Sequence, residues 1–204
     1  LTDLTHLLQD ERLREAVGVY TSTGKYGDLL DARKDGLDLT SRFITFEMDS
    51  LPQGEMGKGI TVPILLYLFH RIKDMLDGSP TMIVLDEAWT LLDNPLFLHK
   101  IREWLKVLRK KNALVVFATQ SLADLIDSPL LPVLQESCPT KVFLPNVEAG
   151  SRTLQPMYGG FGLEDKQIEL LQTATPKQDY YIHSPAGHRM VSFAMGSVAL
   201  AFCA

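Results

Sequence analysis

Residues 81–89 read TMIVLDEAW, an unbroken apolar run that ends in two adjacent carboxylates, Asp86 and Glu87. Five consecutive residues without polar alternation before an acid pair are what a strand buried on both faces of a parallel sheet requires. Such a strand delivers its last side chains to the carboxyl edge, where open α/β sheets bind ligands. At that edge Asp86 can hold, through water, a Mg²⁺ that bridges nucleotide phosphates, while Glu87 polarises an attacking water. The two jobs fall to neighbours because the chain leaves the strand between them. The pattern has the form of a Walker B motif, although an Asp-Glu pair taken alone fits a polar loop start equally well.

The next apolar run favours the nucleotide reading. ALVVFATQS, 113–121, is a second strand that ends in Gln120. An amide at that place can read a terminal phosphate or orient water, as a sensor does in RecA-like motors, or it can simply cap a strand-to-helix turn. Between the two strands lies KIREWLKVLRKKN, 100–112, with six basic side chains against the single acid Glu103. A solvated helix face explains most of these, and Lys110 and Lys111 complement the negative helix C-terminus. Arg109 stands where the helix gives way to the sensor strand, a position from which an arginine can reach a neighbouring subunit's nucleotide; Arg102 is the weaker choice.

The stretch GEMGKGIT, 54–61, has the composition of a phosphate-binding loop but fails G-x-x-x-x-G-K-[ST] in both registers. Aligned on Gly57-Lys58, it puts Gly59 where a hydroxyl is needed and Pro52 where the first glycine belongs. Aligned on Thr61, it puts Ile60 in place of the lysine. It reads instead as a surface loop before a helix capped by Thr61.

The elements that must position these residues alternate between strand-like and helix-like patterns, which predicts an α/β fold. TSRFITFE, 40–47, reads as a strand. A helix is expected over about 62–75, with Pro63 in its first turn and Leu65, Leu66, Phe69 and Ile72 on one face. Asn94-Pro95 opens a second helix to about Lys111, with Phe97, Ile101, Trp104, Leu105 and Leu108 on its buried stripe. Strand, helix, strand over 81–119 is a βαβ unit with a right-handed crossover. Beyond it come a short helix from Ser121 through Ile126, a loop at Pro129 and Pro132, a short strand at 141–144, and a helix over 163–172. DYYIHSPAGHRMVSFAM then forms a hairpin turning at 184–187, with a last strand over 198–202, so a mostly parallel sheet carries an antiparallel appendage. His183 and His188 flank that turn without an evident third metal ligand, and Tyr180 and Tyr181 point one outward and one inward by strand alternation.

Composition narrows the setting. The chain has 204 residues, 46% hydrophobic and 22% charged, with a formal net charge of -5, so the chain as a whole shows no sign of a polyanion binder. Its two cysteines, Cys138 and Cys203, lack metal or disulfide spacing and suit a reducing compartment. The longest apolar run, VPILLYLF, is too short to span a membrane. A start at Leu1 and an end in VALAFCA read as a piece of a larger protein.

The run from Thr81 to Asn146, with YGDLLDA at 26–32, FEMDSL at 46–51, YLFHRIKDML at 67–76, YGGFGL at 158–163, TPKQDYYIHSPAGHRM at 175–190 and SVALAFCA at the end, resembles the TrbE-type conjugal transfer ATPases. More broadly it resembles the assembly ATPases of type IV secretion systems. The resemblance implies a RecA-like P-loop NTPase core, here an incomplete motor domain over 1–204. It implies ATP and Mg²⁺ as cofactors, a hexameric homo-oligomer, partners among the channel and coupling proteins, and a peripheral place at the cytoplasmic face of a bacterial inner membrane. It matches Asp86 and Glu87 to the Walker B acids, Gln120 to the sensor, and Arg109 with Lys110 to the basic motif before it. The family's Walker A is missing, so the chain alone is expected neither to bind ATP tightly nor to hydrolyse it, and apolar surface should stand exposed. Two other readings are a DNA-translocating motor of the FtsK and HerA kind, with DNA contact allowed by the basic helix but not otherwise indicated, and a non-catalytic docking module.

Overall fold

The computed structural model describes residues 1–48, 55–86, 95–126, 128, 129, 131–193 and 195–201. The chain divides into two compact units, one comprising Leu1–Thr81 with Val107–Leu114 and the other Met82–Lys106 with Val115–Ala204.

The first unit opens with three short helices, α1 (Thr2–Leu7), α2 (Glu11–Gly18) and α3 (Gly27–Leu30). Asp10 caps α2 by accepting from the amides of Arg12 and Leu13. Asp31 gathers this region: its carboxylate accepts from the Leu1 amino group, the Thr2 hydroxyl and the amides of Thr2 and Ser22. The long helix of the unit, α4, spans Glu55–Met75 and buries Ile60, Leu65 and Phe69.

Two expectations fail here. Residues 55–60 are helical, so the glycine-rich stretch is the first part of α4 and not a surface loop; Gly54 lies outside the described residues. Pro63 therefore sits inside the helix, well beyond its first turn. Proline has no N–H, so the carbonyl of Gly59, one turn earlier, loses its normal donor. The Tyr20 hydroxyl donates to that carbonyl at 2.5 Å, which restores the missing bond from outside the helix.

The second failure is the strand expected over 40–47, where the described residues carry no strand. Local bonds replace a ladder: Asp38 accepts from both the amide and the hydroxyl of Thr40, and Asp35 accepts from the Leu37 amide. Short acidic side chains compete in this way with sheet pairing. Phe43 is left 87% exposed. Asp35 also pairs with Arg71 and accepts from the Tyr67 hydroxyl, tying this segment to α4.

Strand β1 (Thr81–Asp86), helix α5 (Pro95–Lys110) and strand β2 (Ala113–Ala118) form the βαβ unit. β1 and β2 pair in parallel. Ile101, Trp104, Leu105 and Leu108 are buried along α5 as expected, while Asn94 and the side chain of Phe97 lie outside the description. At the helix end Asn112 adopts φ 57°, a left-handed conformation that asparagine tolerates, and its amide donates to the Gly78 carbonyl at 3.1 Å. Lys111 donates to the Leu76 carbonyl at 2.8 Å. The strands are not covered on both faces: in the second unit Met82 and Val84 of β1 are 64% and 59% exposed. Ile83 and Leu85, on the opposite face, are half-buried.

The rest of the second unit comprises α6 (Leu122–Ile126), α7 (Leu131–Ser137), β3 (Lys141–Phe143), α8 (Leu154–Gly160), α9 (Asp165–Thr173), β4 (Asp179–Ser184), β5 (Gly187–Ser192) and α10 (Ser197–Ala201). β3, β4 and β5 form an antiparallel sheet in that order, with Phe143 opposite Tyr181 and His183 opposite both Lys141 and His188. The hairpin turns where expected. The last expected strand is instead the helix α10, since a short alanine-containing apolar run fits either state; Phe202 and Cys203 lie outside the described residues. Phe143, Ala149, Tyr158, Phe161, Leu163, Ile168, Leu171 and Tyr181 make one core, while Tyr180 lies on Phe193 at 5.4 Å.

The hairpin histidines contact each other, ring centroids 4.2 Å apart. Nδ1 of His183 is buried without a hydrogen-bond partner. Burial, then the nearby His188 and Lys141, push its pKa below the ordinary histidine value. The unfolded chain therefore takes up a proton first as pH falls, so stability is lost on acidification through about pH 6.5. Urea midpoints should fall from about pH 7.5 to about pH 5.5, and less so in His183→Gln. Tyr20→Phe should cost about 1 kcal/mol through the orphaned Gly59 carbonyl, and Leu171→Ala about 2–5 kcal/mol, both read by urea denaturation.

Candidate functional site

Parallel pairing makes β1 and β2 end at the same sheet edge. Asp86 is the last residue of β1 and is exposed there. Gln120 comes two residues after β2 ends and is also exposed, in the same compact unit as Asp86. The structure thus brings the first acid and the amide to one edge. Glu87 lies outside the described residues.

The turn at Gln120 is held by its neighbours. The Thr119 hydroxyl donates to the Ser121 carbonyl at 2.9 Å and accepts from the Ser121 amide at 3.0 Å, and α6 begins directly afterwards. Reading the sequence for titratable and amide side chains passed over this hydroxyl; the Thr-x-Ser order before a helix was the available signal.

The basic helix separates into distinct cases. Glu103, its one acid, accepts from Lys100 at 2.9 Å and lies 3.3 Å from His99; Lys100 first, then His99, hold its carboxyl below the usual range. Arg102 donates to the Pro129 carbonyl at 3.0 Å, a structural task that lessens its claim as a finger. Arg109 is exposed in the last turn of α5, and among the described residues it has no ion pair. Arg109 belongs to the other compact unit from Asp86 and Gln120.

Among the described residues no cluster of three or more His, Cys, Asp or Glu could hold a metal unaided. An exposed carboxylate at a sheet edge nonetheless suits Mg²⁺, a hard cation usually held by one or two carboxylates with water and substrate phosphates completing its shell. Asp86 fits that role.

A βαβ unit that presents an acid and an amide at one carboxyl edge defines an α/β nucleotide-binding protein of the P-loop class, seen here from its acidic side. The family described as the TraG P-loop domain matches residues 10–180, and the chain belongs to it. It is 48% identical over 202 residues to the conjugal transfer protein TrbE of Rhizobium radiobacter, covering 99% of this chain and 24% of that protein. It is equally 48% identical over 202 residues to the second of the pieces of a probable conjugal transfer protein TrbE in Sinorhizobium fredii, covering 99% of this chain and 30% of that one. The chain thus spans less than a third of the length of these curated relatives. The structure of VirB4 from Thermoanaerobacter pseudethanolicus shares the fold, with TM-score 0.70 at 18% identity over 93% of this chain and 50% of that one.

Because Asp86 is exposed and ends its strand, Asp86→Asn should shift unfolding free energy by no more than about 0.5 kcal/mol in urea denaturation. A large loss would assign this carboxylate a structural duty.

Proposed function

We propose that this chain is the Walker B side of the ATPase motor of a conjugative transfer or type IV secretion apparatus. The observation that carries the reading is the meeting of Asp86 and Gln120 at one sheet edge. The 48% identity to TrbE proteins supports the choice of apparatus. On this reading Asp86 holds Mg²⁺ through water, Glu87 polarises the attacking water, and Gln120 senses the terminal phosphate. Bound Mg²⁺ would neutralise charge on the phosphates. Arg109 serves as an arginine finger toward a neighbouring copy in a hexameric ring.

The chain carries no G-x-x-x-x-G-K-[ST] sequence. The amides, lysine and hydroxyl that cradle phosphates must then come from elsewhere in a longer protein, and the 204-residue chain alone does not turn over ATP. Among the described residues no helix is long and apolar enough to cross a membrane. We place the motor at the cytoplasmic face of the inner membrane, held there by other apparatus proteins and coupling ATP hydrolysis to channel or pilus assembly or to substrate transport.

The test is Mg-ATP turnover and conjugative transfer by the longer protein carrying Glu87→Gln. A fall in kcat of about a hundredfold, with transfer lost, is expected. Transfer that survives with turnover abolished would mark a docking module instead, and turnover by the isolated chain would contradict the missing cradle.

A further inference from the structure

We propose that Thr119 is the positioning residue for Gln120, clamping the turn from which the sensor amide reaches nucleotide. The inference rests on the role given to Gln120 under the proposed function. Thr119 is half-buried just past the end of β2, and Gln120 beside it is exposed. The Thr119 hydroxyl bonds both polar backbone groups of Ser121, donating to the carbonyl at 2.9 Å and accepting from the amide at 3.0 Å. One side chain on the strand side of Gln120 thus fixes the residue on its helix side, and the intervening backbone closes into a tight loop.

Three physical points give this clamp a consequence for chemistry. A threonine side chain is stiff about χ1, so its hydroxyl is already set before the turn closes. Fixing one residue's backbone costs about 1–2 kcal/mol of conformational entropy, which the fold has met before nucleotide arrives. A sensor amide works only from a narrow range of positions, and misplacement by about 1 Å can cost as much as a hundredfold in rate. Serine keeps the hydroxyl, whereas valine keeps the shape and loses both bonds.

Steady-state Mg-ATP turnover by the longer protein tests this with Thr119→Val, Thr119→Ser, Gln120→Ala and the double variant Thr119→Val with Gln120→Ala. Thr119→Val should lower kcat about tenfold with KM little changed, and Thr119→Ser should restore most of it. The double variant should be no slower than Gln120→Ala, because a residue that acts through the amide has nothing left to position. Amide exchange at Ser121 should quicken in Thr119→Val while the β2 amides keep their protection; if valine disturbs β2, Thr119→Ala takes its place. Normal kcat in the hydroxyl-free variant alongside an impaired Gln120→Ala would overturn the clamp alone. Multiplying defects in the double variant, or unchanged Ser121 exchange, would do the same. Normal turnover by Gln120→Ala would overturn the sensor role and this inference together.

Discussion

Parallel pairing of β1 with β2 requires the chain to travel back along α5 before the second strand can start, and as a result both strands release their chains at one edge. Asp86 and Gln120, distant in sequence, become neighbours along that edge without any side chain bonding one to the other. The burial of Ile101, Trp104 and Leu105 on α5 and the half-burial of Ile83 and Leu85 on β1 accompany that path. The polar ends of the strands stay in solvent, where a carboxylate keeps its charge and an amide stays accessible.

The two units solve separate packing problems. In the second, aromatic and aliphatic side chains from β3, α8, α9 and β4 form a core, with Phe143 set against Tyr158 and Phe161 at 5.9 and 6.3 Å. In the first, polar bonds to isolated backbone groups carry much of the definition: Tyr20 on the Gly59 carbonyl, Lys111 on the Leu76 carbonyl, and Asp31 on the amides of Thr2 and Ser22. Helix α4 accommodates a proline because a tyrosine from another segment supplies the donor that proline lacks.

Strong one-dimensional signals made part of this legible in advance. The apolar runs closed by Asp86 and Gln120 marked β1 and β2, the 3.6-residue stripe marked α5, and alternation around 184–187 marked the hairpin that puts Tyr181 in the core and Tyr180 outside it. Where local chemistry overrode pattern, sequence reasoning failed. Alternating Phe43, Thr45 and Glu47 mimic a strand, yet Asp35 and Asp38 take the nearby amides. The glycines before Thr61 suggested a loop, although helix continues through them because one external hydroxyl repairs the proline gap. Helices α1, α2, α3, α7 and α8 are short and broken by glycine or proline, too brief for periodicity to register. At the site, the acid and the amide were visible as residue types; the Thr119 clamp was not, since it exists only once the turn is closed.

The central claim is geometric: the metal and terminal phosphate of bound nucleotide lie at the β1–β2 carboxyl edge. A structure of the longer protein with Mg²⁺ and a non-hydrolysable ATP analogue measures this directly. Mg²⁺ is expected within one water of the Asp86 carboxylate, and the terminal phosphate within hydrogen-bonding reach of the Gln120 amide, directly or through one water. Nucleotide bound away from that edge, with Asp86 and Gln120 facing bulk solvent, would contradict it.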